Sequence, residues 1–160
     1  MVSARHCFLL IALACAGLIA VALYMQYAMG LEPCYLCIVQ RGFVIATGTI
    51  AALAALHNPG VAGRRLYGLL CALTAAAGGG FSIRQLWLQS LPEDQVPACG
   101  PPADYLVDSF GIGEWLPLLL KGDGNCAKVD WTLLGLSIAG WMLIAFAAMA
   151  LFALWQAWRK

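Results

Sequence analysis

Charged side chains in this chain fall at the edges of long apolar runs. Four stretches carry no Asp, Glu, Lys or Arg: Phe8 to Met29, Gly42 to Leu56, Leu66 to Ile83 and Trp131 to Trp158. A helix satisfies its own backbone hydrogen bonds, and about 20 helical residues cross about 30 Å of hydrocarbon. Each stretch therefore predicts a transmembrane helix. The second is short if counted from Gly42, so its helix is expected to begin near Cys34 or Leu36, with Arg41 inside its first turns. The third is expected to reach about Leu88, leaving Arg84 at the membrane edge, where a long side chain snorkels to water. The expectation is an all-α, integral membrane four-helix bundle in one domain. Its spans are placed at about 8–29, 36–56, 66–88 and 131–155, with outer loops at about 30–35 and 89–130.

The connections differ in kind. His57 to Arg65 contains Asn58-Pro59-Gly60 and Gly63, which predict a tight turn. The segment after Gln89 opens with Pro92, Pro97, Gly100, Pro101 and Pro102, which keep the backbone around Cys99 irregular. From Asp104 to Leu120 it carries Tyr105, Leu106, Phe110, Trp115, Leu116 and Leu118 to Leu120 among few charges, a mix suited to a short helix in the headgroup layer. Lys121-Gly122-Asp123-Gly124-Asn125 then forms a flexible turn that returns Cys126 to the membrane, so the loop reads as a tethered arm resting on the bilayer. Arg5 followed by Phe8 to Ala14 resembles the start of a signal peptide. The apolar run continues past Cys15 to Leu23, beyond the usual length of such a core, and predicts a retained span.

Composition agrees with a membrane protein: 62% of residues are hydrophobic and only 11% charged. A formal charge of +1 without a basic cluster excludes nucleic acid as a partner. The basic residues also orient the chain. Arg5, Arg64, Arg65, Arg159 and Lys160 fall at one end of the spans, and short loops rich in Lys and Arg stay in the cytoplasm. Both termini are thus expected to be cytoplasmic, and both outer loops to face the oxidising compartment.

This topology sorts the seven cysteines. Cys34, Cys37, Cys99 and Cys126 fall on the outer face, where disulfides persist, whereas Cys7, Cys15 and Cys71 lie in spans or near the cytoplasm and read as small packing residues. Cys34-Tyr35-Leu36-Cys37 is a C-x-x-C motif, a spacing used by dithiol redox centres and by half of a zinc site. Pro33 before it suits the first position of a helix, which would set both sulfurs at a positive helix end that favours thiolate. Arg41, one turn after Cys37, would share its face; it reads either as a snorkelling anchor or as a cation beside the sulfur and a quinone carbonyl. A bridge from Cys99 to Cys126 would stabilise the fold by roughly 3 to 4 kcal/mol through loop closure, so a structural disulfide competes with an exposed, redox-active one. A four-cysteine zinc site is the other alternative, although such sites more often use two C-x-x-C knuckles. Ile38 after Cys37 excludes covalent haem attachment.

Taken together, Leu31-Glu32-Pro33-Cys34-Tyr35-Leu36-Cys37, Arg41, Glu114-Trp115-Leu116-Pro117, Gly124-Asn125-Cys126, and Trp131 with Leu134-Gly135-Leu136 resemble the disulfide bond formation protein B (DsbB) family over most of the chain. The resemblance implies a quinone-dependent protein thiol oxidase that reoxidises a DsbA-like periplasmic protein of thioredoxin fold. Electrons would pass to a membrane quinone, ubiquinone or menaquinone, and the resemblance places the chain in a bacterial inner membrane with both outer loops periplasmic. By the same resemblance, Cys99 is attacked by the partner's thiolate, Cys126 is its mate and exchanges with Cys34, and Cys37 contacts the quinone beside Arg41. The chain departs from the pattern at Ser137-Ile138-Ala139-Gly140-Trp141, which lacks a proline, and near Gln89-Ser90, where some members have a histidine. Vitamin K epoxide reductase-like proteins run a related exchange with the C-x-x-C late in the chain, whereas here it opens the second span. A scaffold whose bridges only brace its loops is the alternative outside enzymes.

Overall fold

The computed structural model describes residues 4–101, 105 and 112–159. Three long helices come first, α1 (Ala4–Tyr27), α2 (Tyr35–His57) and α3 (Val61–Gln89). A short helix, α4 (Ile112–Lys121), and a two-stranded hairpin, β1 (Thr132–Leu133) with β2 (Leu136–Ser137), precede the last long helix, α5 (Ile138–Trp158). All four long helices have the length and hydropathy to cross a bilayer. The fold is thus the expected all-α membrane bundle. In it α1 packs on α2, α2 on α3, and α3 on α5, with α5 also touching α1.

The boundaries depart from the expected spans for identifiable reasons. Among the described residues helix α1 already includes Ala4 and Arg5, because a charge-free run measures hydrocarbon, while helical hydrogen bonding continues into the polar layer. Helix α3 likewise begins at Val61, so Arg64 and Arg65 lie in its first turns and the connection shrinks to Asn58–Gly60. Asn58 makes it possible: in the left-handed region (φ 42°), its N–H closes α2 on the Ala54 carbonyl at 3.0 Å.

The largest correction concerns the fourth span, which starts at Ile138 rather than at Trp131. Leu134 and Gly135 both adopt positive φ (53° and 80°), the backbone of a primed two-residue turn that pairs Thr132 with Ser137 and Leu133 with Leu136. Ser137 then caps α5, its Oγ accepting from the Gly140 N–H at 3.4 Å.

Small residues let the helices approach closely. The main core joins Phe8, Ile11, Cys15, Val44, Ala51, Ala54, Ala55, Cys71, Ala72, Ala75, Phe146, Met149 and Ala153. Cys7, Cys15 and Cys71 are buried; the Cys15 thiol meets the Met149 sulfur at 3.5 Å and the Cys71 thiol points to the Thr47 carbonyl. A second cluster, Tyr35, Leu36, Leu88, Leu119 and Cys126, closes the end of the bundle where α2 starts and α3 stops. Leu119 thereby anchors α4 to the bundle, while Leu116, Leu118 and Leu120 stay exposed. Within the expected interfacial helix, Asp104, Leu106 and Phe110 lie outside the described residues, as does Pro102 before it. So do the side chains of Glu114 and Trp115, and Lys160 at the chain end.

Candidate functional site

The first turn of a helix leaves N–H groups without intrahelical partners, and α2 uses one of them across chain segments. The Leu36 N–H donates to the Cys126 sulfur at 3.5 Å. Cys34 is the N-cap residue of α2, in extended conformation, so Pro33 stands just outside the helix rather than in its first position. From there the Cys34 and Cys37 sulfurs lie 2.8 Å apart, one turn of chain folded onto itself.

Cys126 reaches this end from a 3-10 turn, Gly124–Ala127, and is fully buried. Gly122 (φ 76°) ends α4, and a side chain at that position would run into Leu36. Asp123, buried, then ties three groups together. Its Oδ2 accepts from the Gly100 N–H and from Asn125 Nδ2, each at 2.8 Å, and its Oδ1 accepts from the Cys126 thiol at 3.5 Å. The Gly124 N–H adds a bond to the Ala98 carbonyl at 3.3 Å, and Gly124 lets the Cys99 segment lie against it. On the other side the Tyr35 hydroxyl donates to the Pro101 carbonyl. The Cys99 segment is therefore docked, not a free arm, yet Cys99 itself is exposed, beside a cavity of about 180 Å³ lined by Tyr35, Pro97, Pro101 and Leu118 among others.

The thiols outside the membrane spans are unequal. Hydrogen bonding with Cys126, then with Cys37, and burial push the Cys34 thiol above its ordinary range. The contact with Cys34 is also the main cause that lowers Cys126, with the Leu36 N–H helping and burial opposing. Cys126 is thus the more acidic partner across the loops, and the more available thiolate.

Arg41 stands one turn below Cys37, and its guanidinium donates to Gln26 Oε1 at 2.5 Å and to the Ala22 carbonyl at 3.1 Å, both on α1. From the next turn an apolar groove of about 480 Å³ runs along the α1–α2 seam, bounded by Leu23, Val44, Ile45 and Gly48 among others. Arg84 is held away from the sulfurs, capping α4 at the Lys121 carbonyl at 2.9 Å and stacking on Trp87. Two buried amides went unmarked in the sequence reading. Gln85 Nε2 lies 3.4 Å from both Cys34 and Cys37 sulfurs, and Gln40 Nε2 donates to Gln85 Oε1 at 2.8 Å. A polar amide inside an apolar span was the available signal. Among the described residues, no group of three or more His, Cys, Asp and Glu is gathered as metal ligands would be.

Comparison with known proteins meets this geometry at the family level. The family model described as "Disulfide bond formation protein DsbB" matches residues 4–156. The chain belongs to the DsbB family. Relatives agree: "Disulfide bond formation protein B" of Saccharophagus degradans is 51% identical over 158 residues, covering 99% of this chain and 95% of that one. The protein of the same description from Chromobacterium violaceum is 50% identical, covering 98% and 94%. The DsbB family assignment and four apolar helices make this a multi-pass membrane protein that generates disulfides.

Proposed function

We propose that the chain oxidises a periplasmic, DsbA-like dithiol protein of thioredoxin fold and delivers the electron pair to a membrane quinone through two cysteine pairs. The observation that carries this reading is the meeting of Cys126 with the start of α2, beside Cys34, while Cys99 in the neighbouring segment stays open to water. A partner thiolate attacks Cys99 of a Cys99–Cys126 disulfide. The partner–Cys99 bond forms, and Cys126 leaves as thiolate. That sulfur attacks Cys34 of the Cys34–Cys37 disulfide, and Cys37 receives the electron pair. Exchange of this kind conserves disulfides, so a further oxidant must collect the electrons.

Arg41 and Cys37 would hold the quinone, which accepts two electrons and two protons to become quinol. The donor set fits: a permanent guanidinium lies one turn from the sulfur at the membrane edge, and an apolar groove begins beside it. The Leu36 N–H, which donates to the Cys126 sulfur at 3.5 Å, supports that sulfur as a thiolate at the start of α2, beside its target.

The test mixes full-length protein in detergent, quinone and a reduced thioredoxin-fold dithiol protein. Quinone absorbance is expected to fall as partner disulfide appears, and Cys37→Ser to stop both. Quinone loss no faster than in the Cys37→Ser control removes the proposal.

A further inference from the structure

The exchange just described leaves an anionic sulfur at the edge of hydrocarbon, where a bare charge is costly and must find donors. The helix end contributes, but Arg41 spends its resolved hydrogen bonds on α1. Among the described residues, the side-chain donor that meets both C-x-x-C sulfurs is Gln85. Its amide is buried, 4% exposed, in the last turns of α3. Burying a primary amide in a membrane protein requires that its polar atoms be paired, and here the pairing fixes its direction. Gln40 Nε2 donates to Gln85 Oε1 at 2.8 Å, which turns Gln85 Nε2 toward Cys34 and Cys37, at 3.4 Å from each sulfur. Nε2 carries two hydrogens, one for each sulfur. The Cys37 thiol can also donate to Gln85 Oε1, at 3.9 Å, so one side chain serves the neutral and the anionic sulfur.

We propose that Gln85 is a catalytic residue of the thiol relay, its amide N–H stabilising the Cys37 sulfur as it leaves and its orientation set by Gln40. The inference rests on the relay reading. In the step concerned, the Cys126 thiolate attacks Cys34 Sγ; the Cys126–Cys34 bond forms, the Cys34–Cys37 bond breaks, and the electron pair stays on Cys37 as thiolate. No proton moves. Gln85 polarises the disulfide before the step and solvates the product sulfur after it.

The test needs neither quinone nor partner, so its result is separable from failure of the relay itself. Full-length protein, fully reduced in detergent, is treated with limiting iodoacetamide at neutral pH, and alkylation is mapped at each cysteine by mass spectrometry. The exposed Cys99 serves as the internal reference. Gln85→Met conserves volume and removes the donors; the Cys37 to Cys99 alkylation ratio is expected to fall about tenfold, the scale of one hydrogen bond to a charged group. Gln40→Leu leaves the Gln85 amide free to turn over and is expected to lower the same ratio less. It also keeps the idea testable should Gln85→Met not fold. A ratio equal to wild type in either folded variant overturns the proposal. So does an equal loss at Cys37 and Cys99, which would mark a structural role alone.

Discussion

At the scale of single residues, Asp123 is the joint of the outer segment. A buried carboxylate is tolerated when donors surround it, and here the Gly100 N–H, the Asn125 amide and the Cys126 thiol do so. Asp123→Ala strands the Gly100 N–H and frees the Cys99 segment from the 3-10 turn. The expected cost is about 1–3 kcal/mol, because the half-buried Gly100 N–H and the fully buried Cys126 thiol both lose their acceptor. A lower thermal midpoint in detergent, with faster protease cleavage near Cys99, would bear this out; an unchanged midpoint would mean the carboxylate is not a joint.

At the scale of elements, α3 shows how glycine spacing controls helix contact. A Cβ at Gly78 would enter the Phe146 ring of α5, whereas one at Gly80 meets nothing within 4 Å. Gly78→Ala should therefore cost about 1–3 kcal/mol through overpacking. Gly80→Ala should be neutral or stabilising by up to about 1 kcal/mol, through helix propensity. Thermal unfolding of both variants in one detergent checks the contrast, and equal midpoints would contradict the α3–α5 packing. The hairpin before α5 teaches a different lesson. Leu134-Gly135 sits inside an uncharged run, so hydropathy alone merged it with the span, although its backbone turns sharply.

At the scale of the whole molecule, topology joins the outer segment to the start of α2, since one follows α3 and the other follows α1 in an antiparallel bundle. The distribution of Arg then predicts which compartment they face. After reduction of the disulfides, a membrane-impermeant maleimide should label Cys99 in cells whose outer membrane alone is opened, and an Arg159→Cys variant only after the inner membrane is breached. Labelling of both positions under the first condition would reverse the assignment.

The bundle was legible because its signal is local, length without charge, and Cys34-x-x-Cys37 stands out by spacing alone. Arg41 was legible for the same reason, being one helical turn from Cys37. Gln85, Gln40 and Asp123 were not, because their importance depends on helix rotation and loop docking, which bring positions far apart in sequence within hydrogen-bond distance. The sequence by itself determined that the chain lies in a membrane and carries paired thiols, since both follow from the chemistry of neighbouring residues. Only the tertiary structure decided which sulfur meets which donor, because those contacts arise where α2, α3 and the outer segment close on one another.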